Sequence, residues 1–498
     1  TTILPETVII RPDQYVGTTT WSGTAATHSI TGLNFNAKPD LVWLKERSST
    51  SDHGLWNSVM GQSEYNSSNS TQGHWDTTTE FTSFDYNGFT LGNNTMTNQS
   101  GQTYVAWCWK AGGDKNTFNV DDVGYASASD VNMSVGALDA VAYNKDQTWS
   151  NGLTASSGLA DAAYAFNGNL SNRAQSAVGT NSKLFLAPPS PLSFTERVEI
   201  YCDQGSNTPK AYWNGNIISP GGSKWITIAV GSGTIDATNP IIIDTRGASQ
   251  YATLKGVRVD GRLLIDNGAS TSSVPSIANT GSSVGTKQGF SIVKYQGNGA
   301  AATIAHGLTQ RPDLIIHKFA TASSNWSIWH PDLSASERFI FTNDGPQSSS
   351  SFQNVNKYTF DVASGHNDNG VDMITYCWHD VPGLQKFGTY LGSNSTDGPF
   401  VELGFKPAII MFKNLDASAN WMIYDSKRDA RNQGYRNLFP NLSNVENTTA
   451  TDNEIDFLSN GFKLRNDDGQ SNDANSYVYM AWAESPVANM YGATSNAV

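Results

Sequence analysis

Charged side chains and cysteines are both scarce in this sequence. Only 15% of the 498 residues are Asp, Glu, Lys or Arg, against about 25% in ordinary soluble domains. The three cysteines, Cys108, Cys202 and Cys377, are too few for a framework of disulfide bonds. No apolar run approaches the roughly 20 residues that span a membrane, and residues 1–14 lack the regions of a signal peptide. These absences predict a protein that is made in a reducing cytoplasm and is not inserted in a membrane.

Positive charge is in particularly short supply. The chain has 31 Lys and Arg against 44 Asp and Glu, a net charge of −13 without any basic cluster. Nucleic acid is therefore excluded as a partner, because neutralisation of phosphates dominates that affinity. Uncharged polar residues (Ser, Thr, Asn and Gln) are abundant instead. The chain also has 45 glycines, and 11% of its residues are aromatic. Such an aromatic content argues against disorder and favours β-structure.

One pattern occurs three times along the chain. A basic residue and a proline precede an apolar run that ends in Lys six positions after the proline, and an aromatic residue follows eleven positions later. The copies cover 38–56, 311–329 and 406–424, and each is followed by an aromatic segment that ends in Trp. This spacing predicts three related β modules, whose core holds Trp43, Trp56, Trp109, Trp329, Trp378, Tyr424 and Trp482.

Each copy has the local signals of strands. A proline suits the first position of a strand, the apolar run is typical of a strand buried on both faces, and the aromatic residues that follow alternate with period two. No stretch combines a helical period with caps, so helices should be short and few. The expected fold class is all-β, with tandem β-sandwich modules formed by the three repeats and one inserted jelly-roll or concanavalin-like sandwich.

The repeats also predict how the chain is divided. The insert has many short strands at hairpin spacing with Gly, Asn and Pro turns, and Ser/Gly/Ala-rich segments flank it. The predicted parts are an N-terminal attachment segment (1–12), repeat 1 (13–112), a linker (113–145), the inserted β-sandwich (146–268), a second linker (269–287), repeat 2 (288–384), repeat 3 (385–488) and a C-terminal tail (489–498).

Motifs of catalysis are missing from the sequence. It has no strand–helix Gly-x-Ser-x-Gly element, no phosphate-binding Gly-Lys-Ser/Thr loop and no paired-histidine metal motif. Asp52-His53 could form an acid/base pair, but Asn325 and Asn420 in the other copies favour a turn at this position. His317 is expected to be an ordinary strand histidine. The sequence therefore predicts a protein that is not an enzyme.

Binding residues can still be nominated. Aromatic faces and amide side chains are what sugar recognition uses, and Trp75, Trp149 and Tyr65 are the candidates for carbohydrate binding in predicted loops. The alternative for each is local packing within a long loop. Asp467, Asp468 and Asp473 lie in an Asn/Asp-rich loop and are weak candidates for Ca²⁺, because the loop does not fit the twelve-residue pattern with a closing Glu. No other cofactor is expected.

The repeated pattern of a basic residue, proline, apolar run and lysine is the signature of the chain. Through this signature the chain resembles a family of virion structural proteins of marine bacteriophages, including those of cyanobacteria. Those proteins contain tandem modules that read Gly-Phe-x-Pro-Asp-Leu-Val-Trp-x-Lys, then an apolar–aromatic pair, Asn-Gly-Phe and a closing Trp strand. Residues 257–265 are similar to a concanavalin-like or jelly-roll module of such proteins. Repeat 3 departs from the signature, because Ala408 replaces its Asp. The family's usual description is tail fibre or host-recognition protein, and no catalytic residues come with the module.

The resemblance implies a tail fibre or tail-tip adhesin of the virion that binds host-surface polysaccharide. A capsid decoration or head-fibre protein is the alternative, and a tailspike depolymerase with glycosidase activity is the second alternative. Phage fibres usually close around a threefold axis, so a homotrimer is expected. The segment 1–12 should attach the protein to other virion proteins of the tail, baseplate or capsid.

Overall fold

Antiparallel β-strands make up nearly all of the regular structure in a computed structural model of the chain, as the composition predicted. It describes residues 9–135, 147–170, 172–202, 210–218, 225–245, 249–260, 262–267, 275–334, 337–342, 351–449 and 453–486. These residues belong to two units, one drawn from Thr1–Met133 and Ile277–Val498, the other from Ser134–Ser276. The C-terminal tail predicted at 489–498 lies outside the described residues, as do residues 1–8 of the predicted attachment segment.

The strands are short and are numbered here in chain order. Repeat 1 and the segment after it contain β1 (Val16–Ser22), β2 (His28–Thr31), β3 (Leu41–Glu46), β4 (Gly54–Asn57), β5 (Gly61–Asn66), β6 (Trp75–Asp76), β7 (Phe81–Asp85), β8 (Gly88–Leu91), β9 (Thr103–Trp109), β10 (Phe118–Val120) and β11 (Val123–Tyr125). The second unit contains β12 (Leu153–Ala155), β13 (Leu159–Ala160), β14 (Ala174–Ser176), β15 (Gly179–Thr180), β16 (Lys183–Leu186), β17 (Leu192–Phe194), β18 (Arg197–Tyr201), β19 (Lys210–Trp213), β20 (Asn216–Ile218), β21 (Trp225–Val230), β22 (Gly233–Ile235), β23 (Ile241–Asp244), β24 (Ser249–Gln250), β25 (Thr253–Leu254), β26 (Gly256–Val259) and β27 (Arg262–Leu263).

The C-terminal part of the first unit continues this numbering. Its strands are β28 (Asn279–Gly285), β29 (Phe290–Gln296), β30 (Ala302–Ala305), β31 (Leu314–Phe319), β32 (Ser327–Trp329), β33 (Phe352–Gln353), β34 (Thr359–Val362), β35 (Asp372–Trp378), β36 (Gln385–Leu391), β37 (Phe400–Glu402), β38 (Phe405–Asn414), β39 (Met422–Asp425), β40 (Ile455–Leu458), β41 (Gly461–Leu464) and β42 (Ser476–Pro486). The one α-helix of the described residues is α1 (Thr95–Asn98), and 3₁₀ turns occur at Pro12–Gln14, Ala128–Val131, Trp149–Gly152, Ala162–Phe166 and Ser364–His366.

The same two sheets recur in each repeat. The larger sheet has the strand order β1-β9-β3-β4 in repeat 1, β29-β35-β31-β32 in repeat 2 and β36-β42-β38-β39 in repeat 3. The smaller sheet has the orders β2-β8-β7, β30-β34-β33 and β37-β41-β40. Each repeat is therefore one β-sandwich module. Among the described residues, only the larger sheet of repeat 1 continues past its fourth strand, with β5 and β6.

The signature strand shows why its apolar run is continuous. All six residues of β3 are buried. Val42 and Leu44 pack into the sandwich core of repeat 1, whereas Leu41 and Trp43 point to the opposite face and join a second core. Successive strand residues point to opposite faces, so burial of both faces requires an uninterrupted apolar run.

This second core is shared by the three repeats. At its centre Trp109, Trp378 and Trp482, one from each repeat, contact one another pairwise. The ring centroids are 5.3 to 6.3 Å apart, and each pair of planes makes an angle of 69°. We call this group the tryptophan hub. The three larger sheets thus face a common pseudo-threefold axis within a single chain.

Equivalent hydrogen bonds join each repeat to its neighbour. Trp326 Nε1 of repeat 2 donates to Ser67 O of repeat 1 at 2.7 Å, and Trp421 Nε1 of repeat 3 donates to Ile340 O of repeat 2 at 3.2 Å. His53 of repeat 1 completes the ring, with Nε2 3.0 Å from Phe439 O of repeat 3. These contacts run head to tail and close after three steps, as a rotational assembly does.

His53 therefore takes the place that tryptophan has in the other repeats. Its Nδ1 accepts a hydrogen bond from Trp43 Nε1 at 2.9 Å, so the proton is on Nε2 and is donated to the carbonyl. The side chain is fully buried, and this burial keeps the pKa of His53 well below its usual value. The turn role predicted for this position is wrong, because His53 is a buried junction residue.

The segments predicted as linkers also contain sheet strands. β28 pairs with β29 on one side and with β10 on the other, and β11 pairs with β10. Ser282 and Ser283 of β28 are fully buried. The described parts of 113–145 and 269–287 are thus not the extended linkers that we predicted, because their small residues serve close packing in the sheet. The remaining residues, 136–145 and 269–274, lie outside the described part of the chain.

Asp40 of the signature fastens one of these strands to repeat 1. Its buried carboxylate accepts hydrogen bonds from Ser58 Oγ (2.6 Å), Ser283 Oγ (2.9 Å), Ala111 N (2.7 Å) and Gly113 N (3.2 Å). Burial raises the pKa of Asp40, because a carboxylate loses its hydration there, and the hydrogen bonds act in the opposite direction. The four donors therefore stabilise the buried carboxylate. The equivalent Asp313 accepts one bond, from Asp380 N at 2.8 Å.

We expect Asp40→Ala to lower the free energy of unfolding by about 3 kcal/mol, since each buried donor left without a partner costs about 1 to 3 kcal/mol. Asp313→Ala is the matched control and should cost only about 1 kcal/mol, the value of a single hydrogen bond. Urea unfolding of both variants measures the difference. Equal losses would contradict the fastening role of Asp40.

The second unit is a β-sandwich by itself. A five-stranded sheet, β12-β16-β23-β19-β20, and a four-stranded sheet, β21-β18-β26-β27, are its largest sheets. Both contribute side chains to one core, for example Leu184 and Ile243 from the first and Ile200 and Val257 from the second. Alternation of buried and half-buried residues, as in β16 and β18, places one face of each sheet in this core.

Candidate functional site

The ribbon formed by β5 and β6 carries two of the predicted sugar-binding residues. Tyr65 lies directly opposite Trp75 in the register, and their rings stack at 5.3 Å. The other face of Tyr65 stacks on Trp56 at 4.6 Å. Tyr65 is thus enclosed between two rings and has no face for a sugar, so this prediction is wrong. Trp75 ends the stack and is half-buried, and its role in sugar binding stays a prediction.

Trp149 was predicted to offer an aromatic face in a loop. It is fully buried in the core of the second unit, at the start of a 3₁₀ turn. A buried ring cannot stack on a sugar, so the prediction for Trp149 is wrong. Its polar neighbours in the sequence gave the signal of a loop but no information on the direction of the side chain.

The aromatic residues predicted for the repeat core are not all alike. Six of them are buried, namely Trp43, Trp56, Trp109, Trp378, Tyr424 and Trp482. Trp329 is only half-buried, and the guanidinium carbon of Arg311 lies 5.2 Å from its ring centroid. Trp329 therefore packs against the sandwich core of repeat 2 but leaves part of its ring exposed, and the cation lies over that ring.

A cleft of the first unit combines aromatic and polar groups. Its volume is about 400 Å³, which is within the range of ligand pockets. We call it the Tyr15 cleft, and it is lined by Gln14, Tyr15, Phe35, Asn36, Lys110, Asp121, Asp122, Lys287 and Gln288.

The walls of the Tyr15 cleft are fixed by hydrogen bonds. Asp121 and Asp122 have positive φ angles of 48° and 65°, a left-handed turn that aspartate tolerates better than most residues. The carboxylate of Asp121 accepts from the backbone N of Thr286 at 2.8 Å, and Asp122 pairs with Lys110 at 2.7 Å. The turn is thereby held in one conformation.

Other groups in the cleft remain available for a ligand. The ammonium of Lys287 lies 5.9 Å from the centroid of the Tyr15 ring. Neither the ammonium of Lys287 nor the side-chain amide of Gln14 has a hydrogen-bonding partner within the described part of the chain. The arrangement offers one aromatic ring, one cation and one amide between fixed walls, which suits a small polar ligand with hydroxyl groups.

The predicted Ca²⁺ residues do not form a metal centre. Asp468 accepts a hydrogen bond from Gln470 N at 2.7 Å, and Asp473 accepts from Ala474 N at 2.8 Å. Asp467 is exposed. Two of these carboxylates thus shape their own loop, and the three are not gathered around one point. Among the described residues a group of three possible metal ligands occurs elsewhere, in the β5–β6 ribbon at Glu64, His74 and Asp76.

The fold defines a class of all-β proteins in which sandwich modules share a central core. The chain belongs to the family described as "Domain of unknown function (DUF7483)", whose model matches residues 11–177 and 263–486. No curated protein and no solved structure matches the chain significantly. The unmatched residues 178–262 lie within the second unit. Among the described residues, no helix has the length and hydropathy to cross a membrane.

Proposed function

We propose that this chain is a bacteriophage virion protein, a tail-fibre or tail-tip adhesin that binds neutral host-surface polysaccharide. The virion location rests on the resemblance of the repeat signature to phage structural modules. The observation that favours sugar binding is the Tyr15 cleft, where an aromatic ring faces polar groups that have no partner. A rigid body suits an adhesin, because preformed walls reduce the entropy lost on binding.

The net charge of the protein favours neutral over acidic polysaccharides as ligands. With a net charge of −13, the protein repels strongly acidic polysaccharides within a Debye length of about 8 Å at physiological salt. The cleft itself contains both acidic and basic side chains. Neutral sugars, whose hydroxyl groups can both donate and accept hydrogen bonds, fit this mixture best.

The test is adsorption to host cells and to their extracted surface polysaccharide. Tyr15→Ala should weaken binding about tenfold, since an aromatic contact is worth on the order of 1.5 kcal/mol and about 1.4 kcal/mol is a factor of ten. Tyr164→Ala, an exposed tyrosine of the second unit, is the control and should bind like the unmodified protein. Equal binding by both variants would exclude the Tyr15 cleft.

Two other outcomes would select the alternative functions. Release of reducing ends from the polysaccharide would indicate a tailspike depolymerase. Failure of the intact protein to adsorb to host cells would favour a capsid decoration or head-fibre protein, in which the modules serve assembly.

The homotrimer stays a proposal of its own. It was expected because phage fibres usually close around a threefold axis, yet here the larger sheets of three repeats from one chain already pack together around the tryptophan hub. Ile9 of the predicted attachment segment is also buried in this shared core and donates from its N to Pro382 O at 3.0 Å. Attachment of the segment 1–12 to other virion proteins stays a proposal, and residues 1–8 of that segment lie outside the described residues.

A further inference from the structure

One face of the β5–β6 ribbon carries three potential metal ligands. Glu64 lies directly opposite Asp76 in the register, next to the Tyr65–Trp75 pair. Successive residues of a strand point to opposite faces, so the aromatic pair and the acidic pair occupy opposite faces. His74 precedes β6 on the acidic side. One atom from each of the three side chains lies within 4.8 Å of the other two.

A backbone carbonyl determines which ring nitrogen of His74 carries a proton. Its Nδ1 is 2.9 Å from the carbonyl oxygen of Ala320, and a carbonyl can only accept, so Nδ1 carries the proton. In the tautomer with its proton on Nδ1, the lone pair lies on Nε2, which is 3.4 Å from Oδ1 of Asp76. Histidine ligands of metal ions are held in the same way, with the second ring N–H donated to a carbonyl or carboxylate.

The acidic pair has no Lys or Arg beside it among the described residues. Neither Glu64 nor Asp76 forms an ion pair with Lys or Arg within the described part of the chain. Like charges directly opposite one another destabilise a strand pair, and this ribbon has only two residue pairs in register. Two carboxylates and an imidazole lone pair thus share one space, and all three would be stabilised by a cation.

We propose that Glu64, His74 and Asp76 bind one divalent transition-metal ion of the Zn²⁺ class. Imidazole selects such ions over Ca²⁺ and Mg²⁺, which prefer oxygen ligands. Ligand atoms about 2.1 Å from zinc in a tetrahedron are roughly 3.4 Å apart. The distance between His74 Nε2 and Asp76 Oδ1 already has this value, and a rotation of Glu64 supplies the third ligand. Three protein ligands leave the fourth position of the tetrahedron open to water or to an added ligand.

Such an ion would fasten a junction between two repeats. His74 belongs to repeat 1, whereas the carbonyl that orients it belongs to Ala320 of repeat 2. The preceding loop is held by the same neighbour, since Ser324 N of repeat 2 donates to Thr71 O at 2.8 Å. Metal bound at the ribbon would therefore tie its strands together and hold them against repeat 2.

Titration of the untagged protein with ZnCl₂ in a calorimeter tests the proposal. We expect one ion per chain, and His74→Asn or Glu64→Gln should weaken binding at least about 100-fold, which is the upper end of the loss caused by removing a supporting group. Glu402→Gln is the matched control, because Glu402 is exposed on β37 in repeat 3. This variant should bind Zn²⁺ like the unmodified protein.

Two further readouts distinguish this site from binding elsewhere. Co²⁺ should give visible d–d absorption bands that Zn²⁺ removes and that a large excess of Ca²⁺ leaves unchanged, and both His74→Asn and Asp76→Asn should abolish the bands. Because these side chains are half-buried or exposed, the variants should keep the circular dichroism of the parent. No heat of binding, bands that survive in His74→Asn, or displacement of Co²⁺ by Ca²⁺ would each overturn the proposal, whatever the outcome for the Tyr15 cleft.

Discussion

Trp482→Ala is expected to destabilise all three repeats, although the substitution lies in the third. The ring of Trp482 contacts Trp109 of repeat 1 at 5.3 Å and Trp378 of repeat 2 at 6.0 Å between centroids. Removing a buried tryptophan costs about 3 to 5 kcal/mol, and here the cavity opens where the three modules meet. The free energy of unfolding of the first unit should therefore fall by about 4 kcal/mol.

Hydrogen exchange of individual amides checks this result. Exchange in β3 and β9 of repeat 1 should accelerate in Trp482→Ala by the same factor as exchange in β38 and β42 of repeat 3. Trp329→Ala serves as the control, because Trp329 is only half-buried and packs on the sandwich core of repeat 2 instead of the shared core, so its loss should cost less and should not accelerate exchange in all three repeats equally. Acceleration restricted to repeat 3 would mean that the repeats unfold independently and that the hub does not couple them.

Mild acid near pH 5 should destabilise the protein strongly, because several buried histidines are neutral in the folded state. Burial lowers the pKa of His306 to about 4, of His317 to about 3 and of His330 to about 4. In the unfolded chain the same groups have a pKa near 6.5. Below about pH 6.5 the unfolded state therefore binds more protons, and stability falls as the pH drops towards the folded pKa values.

The size of this effect is large compared with the stability of a typical domain. At pH 5 each of the three histidines costs on the order of 2 kcal/mol, because one pKa unit corresponds to about 1.4 kcal/mol. Together they should remove about 6 kcal/mol, against a total of about 5 to 15 kcal/mol for native proteins. Urea unfolding at pH 7.5 and pH 5.0 measures the loss directly.

Single substitutions assign the loss to particular rings. His306 Nδ1 accepts a hydrogen bond from Leu308 N at 3.1 Å, which protonation would break. His306→Asn keeps an acceptor near this position, and the difference in stability between the two pH values should shrink by about 2 kcal/mol. His28→Asn, at a half-buried histidine of β2, controls for the removal of an imidazole outside the core. A protein equally stable at both pH values would show that folding does not lower the pKa of these rings.

Local periodicity predicted the strands of the repeats but not how the modules meet. The continuous apolar run around Trp43 required burial on both faces, yet nothing in the spacing identified the second face as a centre shared by three copies. The prediction of a linker around Ser282 and Ser283 was wrong, because small residues are common both in linkers and in tightly packed strands. The prediction of an exposed Trp149 was also wrong, because polar neighbours in the sequence do not determine the direction of a side chain.

Alignment of the repeats held more information than we extracted. His53 is aligned with Trp326 and Trp421, two buried ring donors, and this correspondence could have placed it at a junction. The group of Glu64, His74 and Asp76 had no comparable signal, because its members meet only when residues 61–76 fold back as the β5–β6 ribbon. A ligand set formed by strand register cannot be recognised without knowledge of that register.

The pseudo-threefold ring also affects how many copies of each feature the protein displays. A ring of three identical chains would present every loop three times, whereas this chain presents β5 and β6 once. The three sectors can accumulate changes separately, and a substitution in one does not recur in the other two. The three repeats thus pack symmetrically at the tryptophan hub, while their outer surfaces can differ from one repeat to the next. A single chain can therefore place unlike binding surfaces around one axis.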